Sequence, residues 1–341
     1  MNLEQALLNL PHAYGAPQAK AIFKQSPEDF KVDEVLGFEL TGEGEHLFLH
    51  MEKMNLNTEQ LVGILAQAFE VPKKAVTYAG LKDKFAVTTQ WFNVHLPGKI
   101  IDDLTFLNGD NYRLLQAKRH SKKLKIGYLK GNNFFIRLKD VQGDKKELED
   151  RLNHIKSKGV PNYFGEQRFG HQGQNLVKAK EVLLNNKKVK NKFLRGIYYS
   201  AARAFLFNQV LARRLVLYSW PKAINGDVLQ LAGSHSFFHA QDIDDEIENR
   251  IQQFDISPAG PLWGEGKLQI TDLALQELEK ALESWQSWCD ALESQRLKLA
   301  YRPFILVVEK MEWQWRQEDL ELTFFLPAGA YATSVLRELI A

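Results

Sequence analysis

Residues 80–90 read Gly-Leu-Lys-Asp-Lys-Phe-Ala-Val-Thr-Thr-Gln, and they hold a single carboxylate, Asp83, between two lysines. Positive charge on both sides favours the ionised form of an aspartate. An ionised carboxylate that is held in position can act as a nucleophile or as a general base. The same pattern also fits a solvated surface turn, so these residues alone leave both interpretations open.

The segment around Asp83 is predicted to be a loop between two strands. Residues 58–69 carry an apolar stripe of helical spacing, with Thr58 predicted as the N-cap. A short strand is then predicted at 76–78, and alternating residues predict a longer strand at 88–96. Loops on a rigid sheet commonly carry catalytic residues, which makes Asp83 the first candidate.

The pattern of the sequence changes near residue 158. Strand patterns dominate before it, although a helix is predicted at 144–156, and strand patterns return at 304–308 and from 311 to 326. Between them helices are predicted at 174–185, 198–218, 243–254 and 271–295. The sequence therefore predicts an α+β protein in which residues 158–303 are inserted into a domain built from residues 1–157 and 304–341.

Composition excludes several classes of protein. The chain has 341 residues, a net charge of +2 and one cysteine, Cys289, so it can form no internal disulfide and no thiolate metal cluster. No apolar run approaches the ~20 residues of a membrane span. The first residues lack a basic region followed by a long apolar one, as a secretory signal would have. We therefore expect a cytoplasmic protein that does not enter a membrane.

Positive charge is concentrated in two runs that contain no acidic residue. Segregated basic faces allow a near-neutral protein to bind phosphate backbones, although each run can equally be a solvated face. The first run comprises Lys118, Arg119, Lys122, Lys123, Lys125 and Lys130, and the second comprises Lys187, Lys188, Lys190, Lys192 and Arg195.

The sequence offers no cofactor or metal site. His46 and His50 have i, i+4 spacing but fall in a predicted strand without a third ligand. There is also no phosphate-binding P-loop and no dinucleotide glycine fingerprint. We therefore expect neither a metal nor a cofactor.

Seven segments, in order along the chain, carry a family resemblance. Residues 80–90 fit the pattern G-x-K-D-K-x-A-x-T-x-Q at every fixed position, and residues 162–170 read Asn-Tyr-Phe-Gly-Glu-Gln-Arg-Phe-Gly. The remaining segments are 21–30, 131–134, 200–208, 260–264 and 326–333. With these segments the chain resembles the TruD family of tRNA pseudouridine synthases.

The resemblance implies both a fold and a reaction. The implied fold is a pseudouridine synthase catalytic domain with a mixed or antiparallel sheet, interrupted by a helix-rich α/β TRUD domain, with RNA bound in the cleft between them. The implied reaction converts the uridine at position 13, in the D-arm of tRNA, to pseudouridine, with an Asp acting on a flipped-out base. The implied partner is tRNA alone, bound by a monomer without a cofactor.

The resemblance also assigns substrate-binding roles. Phe134 is implied to stack on the extruded base, where other pseudouridine synthases use a tyrosine, although a strand phenylalanine can also be a core residue. Asn132 is expected to hydrogen-bond the base or to hold the Asp83 loop, with an ordinary turn residue as the alternative.

Four further residues are candidates around the substrate. Lys24 and Lys82 are expected to pair with Asp83 or to clamp a phosphate, and Gln90 to orient the loop. Arg203 is a candidate phosphate contact, with a core-edge ion pair as the alternative.

Two other functions stay open at this point. An N-glycoside hydrolase would act on the same bond, but glycoside hydrolases usually use a carboxylate pair and a second acid is not evident here. A non-catalytic tRNA-binding chaperone would not need the intact Lys82-Asp83-Lys84 sequence. The sequence also does not decide whether Asp83 attacks the sugar carbon or abstracts a sugar proton.

Overall fold

The computed structural model describes residues 3, 6, 9–101, 103–218 and 220–341, apart from the side chain of Tyr218. The chain divides into two compact units. The sheet unit consists of Ala19–Asp144 and Val308–Gly329, and the helix-rich unit consists of Met1–Gln18, Lys145–Val307 and Ala330–Ala341.

Strands are found in both units. In chain order the described strands are β1 (Lys20–Phe23), β2 (Phe30–Leu36), β3 (His46–Met54), β4 (Val76–Tyr78), β5 (Val87–His95), β6 (Asn108–Gly109), β7 (Tyr112–His120), β8 (Leu129–Gln142), β9 (Val160–Pro161), β10 (Val228–Leu231), β11 (Phe237–His239), β12 (Ile256–Leu262), β13 (Ala300–Pro303), β14 (Ile305–Leu306), β15 (Glu309–Arg316) and β16 (Asp319–Pro327).

Most of the described helices belong to the helix-rich unit. In chain order they are α1 (Thr58–Ala68), α2 (Lys145–Lys158), α3 (Glu166–Phe169), α4 (Gln174–Leu183), α5 (Lys192–Tyr218), α6 (Asp245–Gln252), α7 (Asp272–Leu282), α8 (Gln286–Ser294) and α9 (Ala332–Leu336). None of these described helices combines the length and the apolar character that a membrane-crossing segment needs.

The sheet unit is built on one mixed sheet with the strand order β15-β16-β8-β2-β5-β3-β7-β6, to which β1 is added beside β8 and β4 beside β5. The pair β2–β5 is parallel, and the other described pairs of this sheet are antiparallel. The predicted α+β class with a mixed or antiparallel sheet is confirmed. Because β2 and β5 are neighbours, the second strand of the chain lies next to the strand that follows the Asp83 loop.

Helix α1 covers one face of this sheet. Its buried Leu61 and Leu65 belong to a core that also contains Leu49 and Met51 of β3 and Phe92 of β5. The apolar stripe predicted from the sequence is therefore the face that packs on the sheet. The opposite face of these strands is buried as well, because Phe48 of β3 and Trp91 of β5 belong to a second apolar cluster.

The N-cap predicted for this helix was wrong by one residue. Asn57 is the cap: its Oδ1 accepts a hydrogen bond from the backbone N of Gln60 at 2.8 Å, and its own backbone N donates to Gln60 Oε1 at 3.0 Å. Such a reciprocal pair satisfies two amides at the helix start. The hydroxyl of Thr58 is thereby left for a different contact, described below.

In the helix-rich unit, α5 packs against α4, α7 and α8, and a separate four-stranded sheet has the order β11-β10-β12-β13. The predicted helix at 271–295 is two helices, α7 and α8, separated by a short 3-10 turn at Glu283–Trp285. At this turn Trp285 enters the core and packs edge-on against Phe205, with 4.6 Å between the ring centroids. The strand predicted at 304–308 is shorter, because only β14 pairs there, with β9.

The boundaries between the two compact units differ from the predicted domain boundaries near 158 and 303. The chain passes from one unit to the other after Gln18, Asp144, Val307 and Gly329. Helix α2 packs within the helix-rich unit, where the buried Arg151 donates to the carbonyl oxygens of Gly15 at 3.0 Å and Glu338 at 3.2 Å. These bonds join α2 to segments from both ends of the chain. Packing alone does not identify an insertion, so the inserted domain at 158–303 stays a prediction.

Candidate active site

Asp83 lies on the loop between β4 and β5, as the sequence predicted. Its Oδ2 is 2.6 Å from Nζ of Lys24, and about a third of the Asp83 side chain (31%) is exposed. The loop therefore presents an accessible anion whose position is fixed by a cation from the N-terminal part of the sheet.

The backbone of Asp83 is fixed separately, by a buried lysine. Nζ of Lys53 donates to the carbonyl oxygens of Asp83 at 3.0 Å and of Leu56 at 2.8 Å. Lys53 is only 1% exposed, and burial lowers the pKa of its ammonium group to about 8. A desolvated ammonium makes strong hydrogen bonds because little water competes for its protons.

The sequence interpretation missed Lys53, although a signal was present. Leu47, Leu49 and Met51 are buried on one face of β3, and Lys53 continues the same alternation. A lysine at an inward position of a strand must find hydrogen-bond acceptors, because an unpaired buried charge is strongly unfavourable. The alternation of buried residues along β3 thus indicated that Lys53 has a structural or functional partner.

The residue before Asp83 is held by a buried ion pair. Nζ of Lys82 lies 2.5 Å from Oε1 of Glu34 on β2, and Oε2 of Glu34 accepts a hydrogen bond from the backbone N of Trp91 at 2.8 Å. Burial raises the pKa of the Glu34 carboxyl. Lys82 therefore anchors the loop to β2, and its role toward substrate stays a prediction.

A second set of bonds holds the loop from the side of α1. Thr58 Oγ1 accepts a hydrogen bond from the backbone N of Lys82 at 3.1 Å and donates to Gln90 Oε1 at 3.1 Å. Nε2 of Gln90 donates to the carbonyl oxygen of Gly80 at 2.6 Å. Gln90 thus contacts the start of the loop, in keeping with the expectation that it orients the loop.

Lys24 connects Asp83 to a row of aromatic rings. Its Nζ lies 3.9 Å from the ring centroid of Phe30, and its backbone has the left-handed φ of 56° that few residues other than glycine adopt. Phe30 is 6.1 Å from Phe134 between ring centroids, and Phe134 stacks on Phe324 at 5.4 Å. The structure thus brings Lys24, Asp83 and the neighbourhood of Phe134 together.

Phe134 itself is 8% exposed, and its ring is packed on both sides by the rings just described. This burial fits the strand-core alternative as well as a stacking face, so its role toward the base stays a prediction. Asn132, two residues earlier on β8, pairs in register with Glu34 of β2. Its buried Oδ1 accepts no hydrogen bond from the described part of the chain.

Arg203 lies in the helix-rich unit, on α5. Its Nη2 donates to the carbonyl oxygens of Leu262 at 2.7 Å and Lys298 at 2.8 Å, and burial lowers the pKa of the guanidinium. These bonds tie the end of β12 and the segment at Lys298 to the helix. The predicted phosphate contact stays a prediction, and it would have to use the remaining donors of the group.

Among the described residues, no group of three or more His, Cys, Asp and Glu side chains is arranged to hold a metal ion. His46 and His50 instead stack on other rings, His46 on His95 at 4.7 Å and His50 on Trp91 at 4.5 Å.

A loop that presents one ion-paired aspartate from a mixed sheet is the arrangement expected of an enzyme that uses a single carboxylate. The family model of tRNA pseudouridine synthase D (TruD) matches residues 11–188 and 173–339 of this chain. The chain belongs to the tRNA pseudouridine synthase D (TruD) family.

Individual relatives agree with this assignment. The chain is 48% identical over 334 residues to tRNA pseudouridine synthase D of Legionella pneumophila (strain Corby), covering 98% of each chain. It is 44% identical to tRNA pseudouridine synthase D of Aeromonas hydrophila, covering 98% of this chain and 94% of that one.

The fold is similar to a crystal structure from Methanosarcina mazei that is provisionally assigned as tRNA pseudouridine synthase D (TruD). The TM-score is 0.73 at 19% identity, with 99% of this chain and 97% of the other covered. At this level of identity the likeness concerns the fold, and it extends over almost the whole chain.

Proposed function

We propose that this protein isomerises a uridine of tRNA to pseudouridine, with Asp83 as its catalytic carboxylate. The observation that carries the proposal is the geometry of the Asp83 loop. One carboxylate oxygen pairs with Lys24 at 2.6 Å, while hydrogen bonds to Gly80, Lys82 and Asp83 hold the loop backbone. Membership of the family and the names of its relatives support the same reaction.

The reaction needs one carboxylate and no external reagent. The bond from N1 of uracil to the sugar breaks, the base turns, and a bond from C5 to the same sugar carbon forms. The proton on C5 is lost and N1 gains one, so substrate and product have the same mass. Asp83 can start this sequence by attacking the sugar carbon or by removing a sugar proton, and the ion pair with Lys24 holds its carboxylate in place in either case.

The target base must leave the stack to reach Asp83. We assign Asn132 to this step, because a buried acceptor such as its Oδ1 can receive the N3–H of uracil once the base enters. We assign Phe134 to the stacking face, reached when the row of rings opens at its edge. Base–aromatic stacking contributes about 1–3 kcal/mol.

The proposed substrate is the uridine at position 13 in the D-arm of tRNA, bound by a cytoplasmic monomer. The basic run from Lys118 to Lys130 lies on β7, β8 and the segment between them, within the sheet unit that carries Asp83. Phosphate contacts from such a run provide affinity without reading sequence.

The test is a product analysis on an unmodified tRNA transcript incubated with the purified protein. We expect pseudouridine at one position, with the mass of the RNA unchanged. Release of uracil, with a decrease in RNA mass equal to the mass of uracil minus that of one water, would indicate an N-glycoside hydrolase. Binding without either change would indicate a tRNA-binding chaperone. Pseudouridine at a position other than 13 would keep the reaction and correct the substrate site.

A further inference from the structure

Two large apolar side chains stand exposed beside the candidate catalytic carboxylate. Leu81 is 66% exposed and Phe85 is 48% exposed, and they lie two residues before and two residues after Asp83. Single exposed apolar residues are ordinary on protein surfaces, and Ile100 is even more exposed at 86%. What sets Leu81 and Phe85 apart is their place on both sides of the reacting group.

The exposure of Leu81 and Phe85 is a property of an anchored loop. The loop backbone is bonded at Gly80, Lys82 and Asp83, and the Lys82 side chain is turned inward onto Glu34. With Lys82 fixed inward, its neighbour Leu81 faces outward. The structure therefore holds these apolar side chains in water, although apolar surface is more stable when it is buried.

We propose that Leu81 and Phe85 form a wedge that enters the base stack of the tRNA next to the target uridine and occupies the space that the uridine leaves. The proposal rests on the proposed function. Proteins that open a nucleic acid stack insert apolar side chains between bases, and a ring can in addition stack on the base that the extruded nucleotide has left. The exposed Lys84, between Asp83 and Phe85, adds a positive charge for the adjacent phosphates.

The wedge addresses the step that precedes chemistry. A uridine in a folded tRNA must unstack before Asp83 can reach its sugar, and unstacking is unfavourable by a few kcal/mol. A side chain that replaces the lost stacking lowers this barrier and slows the return of the base. Leu81 and Phe85 are therefore positioning residues for the reaction, and the chemistry remains with Asp83.

The experiment follows unstacking directly, with 2-aminopurine in place of the base that neighbours the target uridine. The fluorescence of 2-aminopurine rises when it loses a stacked neighbour. All proteins carry Asp83→Asn, so that no product forms, and the tested variants add Leu81→Ala, Phe85→Ala or both. Controls add Ile100→Ala or Phe106→Ala, which truncate exposed apolar residues of the same unit.

We expect the fluorescence rise to be lost in the double variant and kept in both controls at saturating protein. With Asp83 restored, the single-turnover rate should fall by about 5- to 150-fold per truncation, which corresponds to about 1–3 kcal/mol of stacking. In the same rate assay Phe85→Trp should react nearly as fast as the wild type because it keeps a ring. A transcript in which the target uridine has no pairing partner should restore most of the rate to the truncated variants.

An equal fluorescence rise in the double variant and in the Asp83→Asn parent would overturn the wedge, and so would a rate loss of the same size in the controls. Because both side chains are exposed, thermal melting of the variants should match that of the parent. If the wild-type protein forms no pseudouridine on this tRNA, the proposed function fails and the wedge fails with it. If only the wedge proposal is wrong, the wild-type protein still forms pseudouridine on this tRNA.

Discussion

Replacement of Lys53 by methionine tests how the Asp83 loop is held. Methionine keeps the unbranched apolar stem and removes the ammonium group that donates to the carbonyl oxygens of Asp83 and Leu56. We expect the variant to fold, to bind tRNA normally and to turn over slowly. The reason is that Lys53 contacts only the backbone of the catalytic residue, while the charges that face the RNA stay in place.

The expected change in stability is small because two effects oppose each other. Each hydrogen bond from a charged donor contributes about 1.5–3 kcal/mol, so the loss of two destabilises the protein by about 3–6 kcal/mol. Burial, however, lowers the pKa of Lys53 from 10.5 to about 8, and relief of this desolvation returns about 3 kcal/mol. The net destabilisation is therefore about 0–3 kcal/mol.

The effect on catalysis is larger. A misplacement of a reacting group by about 1 Å lowers a rate by on the order of 100-fold. We expect the single-turnover rate of Lys53→Met to fall by about that factor, with the dissociation constant for tRNA changed by less than about 3-fold, as suits a residue without phosphate contacts. Lys31→Met, which replaces an exposed lysine of the same sheet, is the matched control and should keep the rate.

The pH dependence of stability identifies the buried ammonium directly. The pKa of Lys53 in the folded protein, about 8, lies below its unfolded value of 10.5, so between these pH values the unfolded chain binds more protons. The contribution of Lys53 to the free energy of unfolding therefore rises with pH, by about 2.5 kcal/mol between pH 7 and pH 10. The methionine variant lacks this contribution.

Urea titrations of the wild type and Lys53→Met at pH 7 and pH 10 measure the difference, with Lys31→Met as the control. We expect the wild type to gain about 2.5 kcal/mol in the free energy of unfolding, relative to Lys53→Met, between pH 7 and pH 10. A difference that stays constant would show that the buried ammonium is not desolvated. An unchanged turnover rate in Lys53→Met would show that it does not position Asp83.

Substitutions at three further places test the stacking ring, the role of Arg203 and the first basic run. Phe134→Tyr should keep most of the single-turnover rate, whereas Phe134→Ala should lose it. If Phe134→Ala instead lowers the free energy of unfolding by about 3–5 kcal/mol and its folded fraction reacts normally, the ring is only a core residue. Arg203→Gln should lower the melting temperature, because it removes bonds to two carbonyls worth about 1.5–3 kcal/mol each, and leave the salt dependence of tRNA binding unchanged; a shallower dependence would instead reveal the phosphate contact. Neutralising a basic cluster should weaken tRNA binding and reduce the slope of log affinity against log salt concentration by about 0.7–0.9 for each phosphate contact that is lost. An unchanged slope would identify the cluster as a solvated face. The cluster is Lys122, Lys123 and Lys125, and the control neutralises the exposed Lys73 and Lys74 of the same unit.

Local elements could be predicted from the sequence because their signals are local. Alternation of apolar and polar residues predicted β5 and β16, and an apolar stripe of helical spacing predicted α1. Each prediction was correct to within a few residues at the ends of the element. The helix predicted at 271–295 shows the limit of this reasoning. Its helical spacing continues across Trp285, and the break arises from the packing of that ring on Phe205, a residue far away in sequence.

The candidate site could be predicted only in part for the same reason. Lys24 and Lys82 were both expected to pair with Asp83 or to clamp a phosphate. In the structure Lys24, from 59 residues away, pairs with the carboxylate of Asp83, whereas Lys82 pairs with Glu34. The anchors Lys53 and Glu34 carry no motif of their own. They become neighbours of the loop only through the pairing of β3 and β2 with β5, which no spacing in the sequence reveals.

The central claim is that one carboxylate performs the reaction, and the most direct measurement is single-turnover formation of pseudouridine by Asp83→Asn. The substitution is nearly isosteric and leaves the backbone bonds to Lys53 available, so melting temperature and affinity for tRNA should match the wild type. Asp110→Asn, at an exposed turn of the same unit, is the control and should be fully active. We expect no product from Asp83→Asn while the control reacts at the wild-type rate. Pseudouridine formed by folded Asp83→Asn at more than a trace of that rate would contradict it.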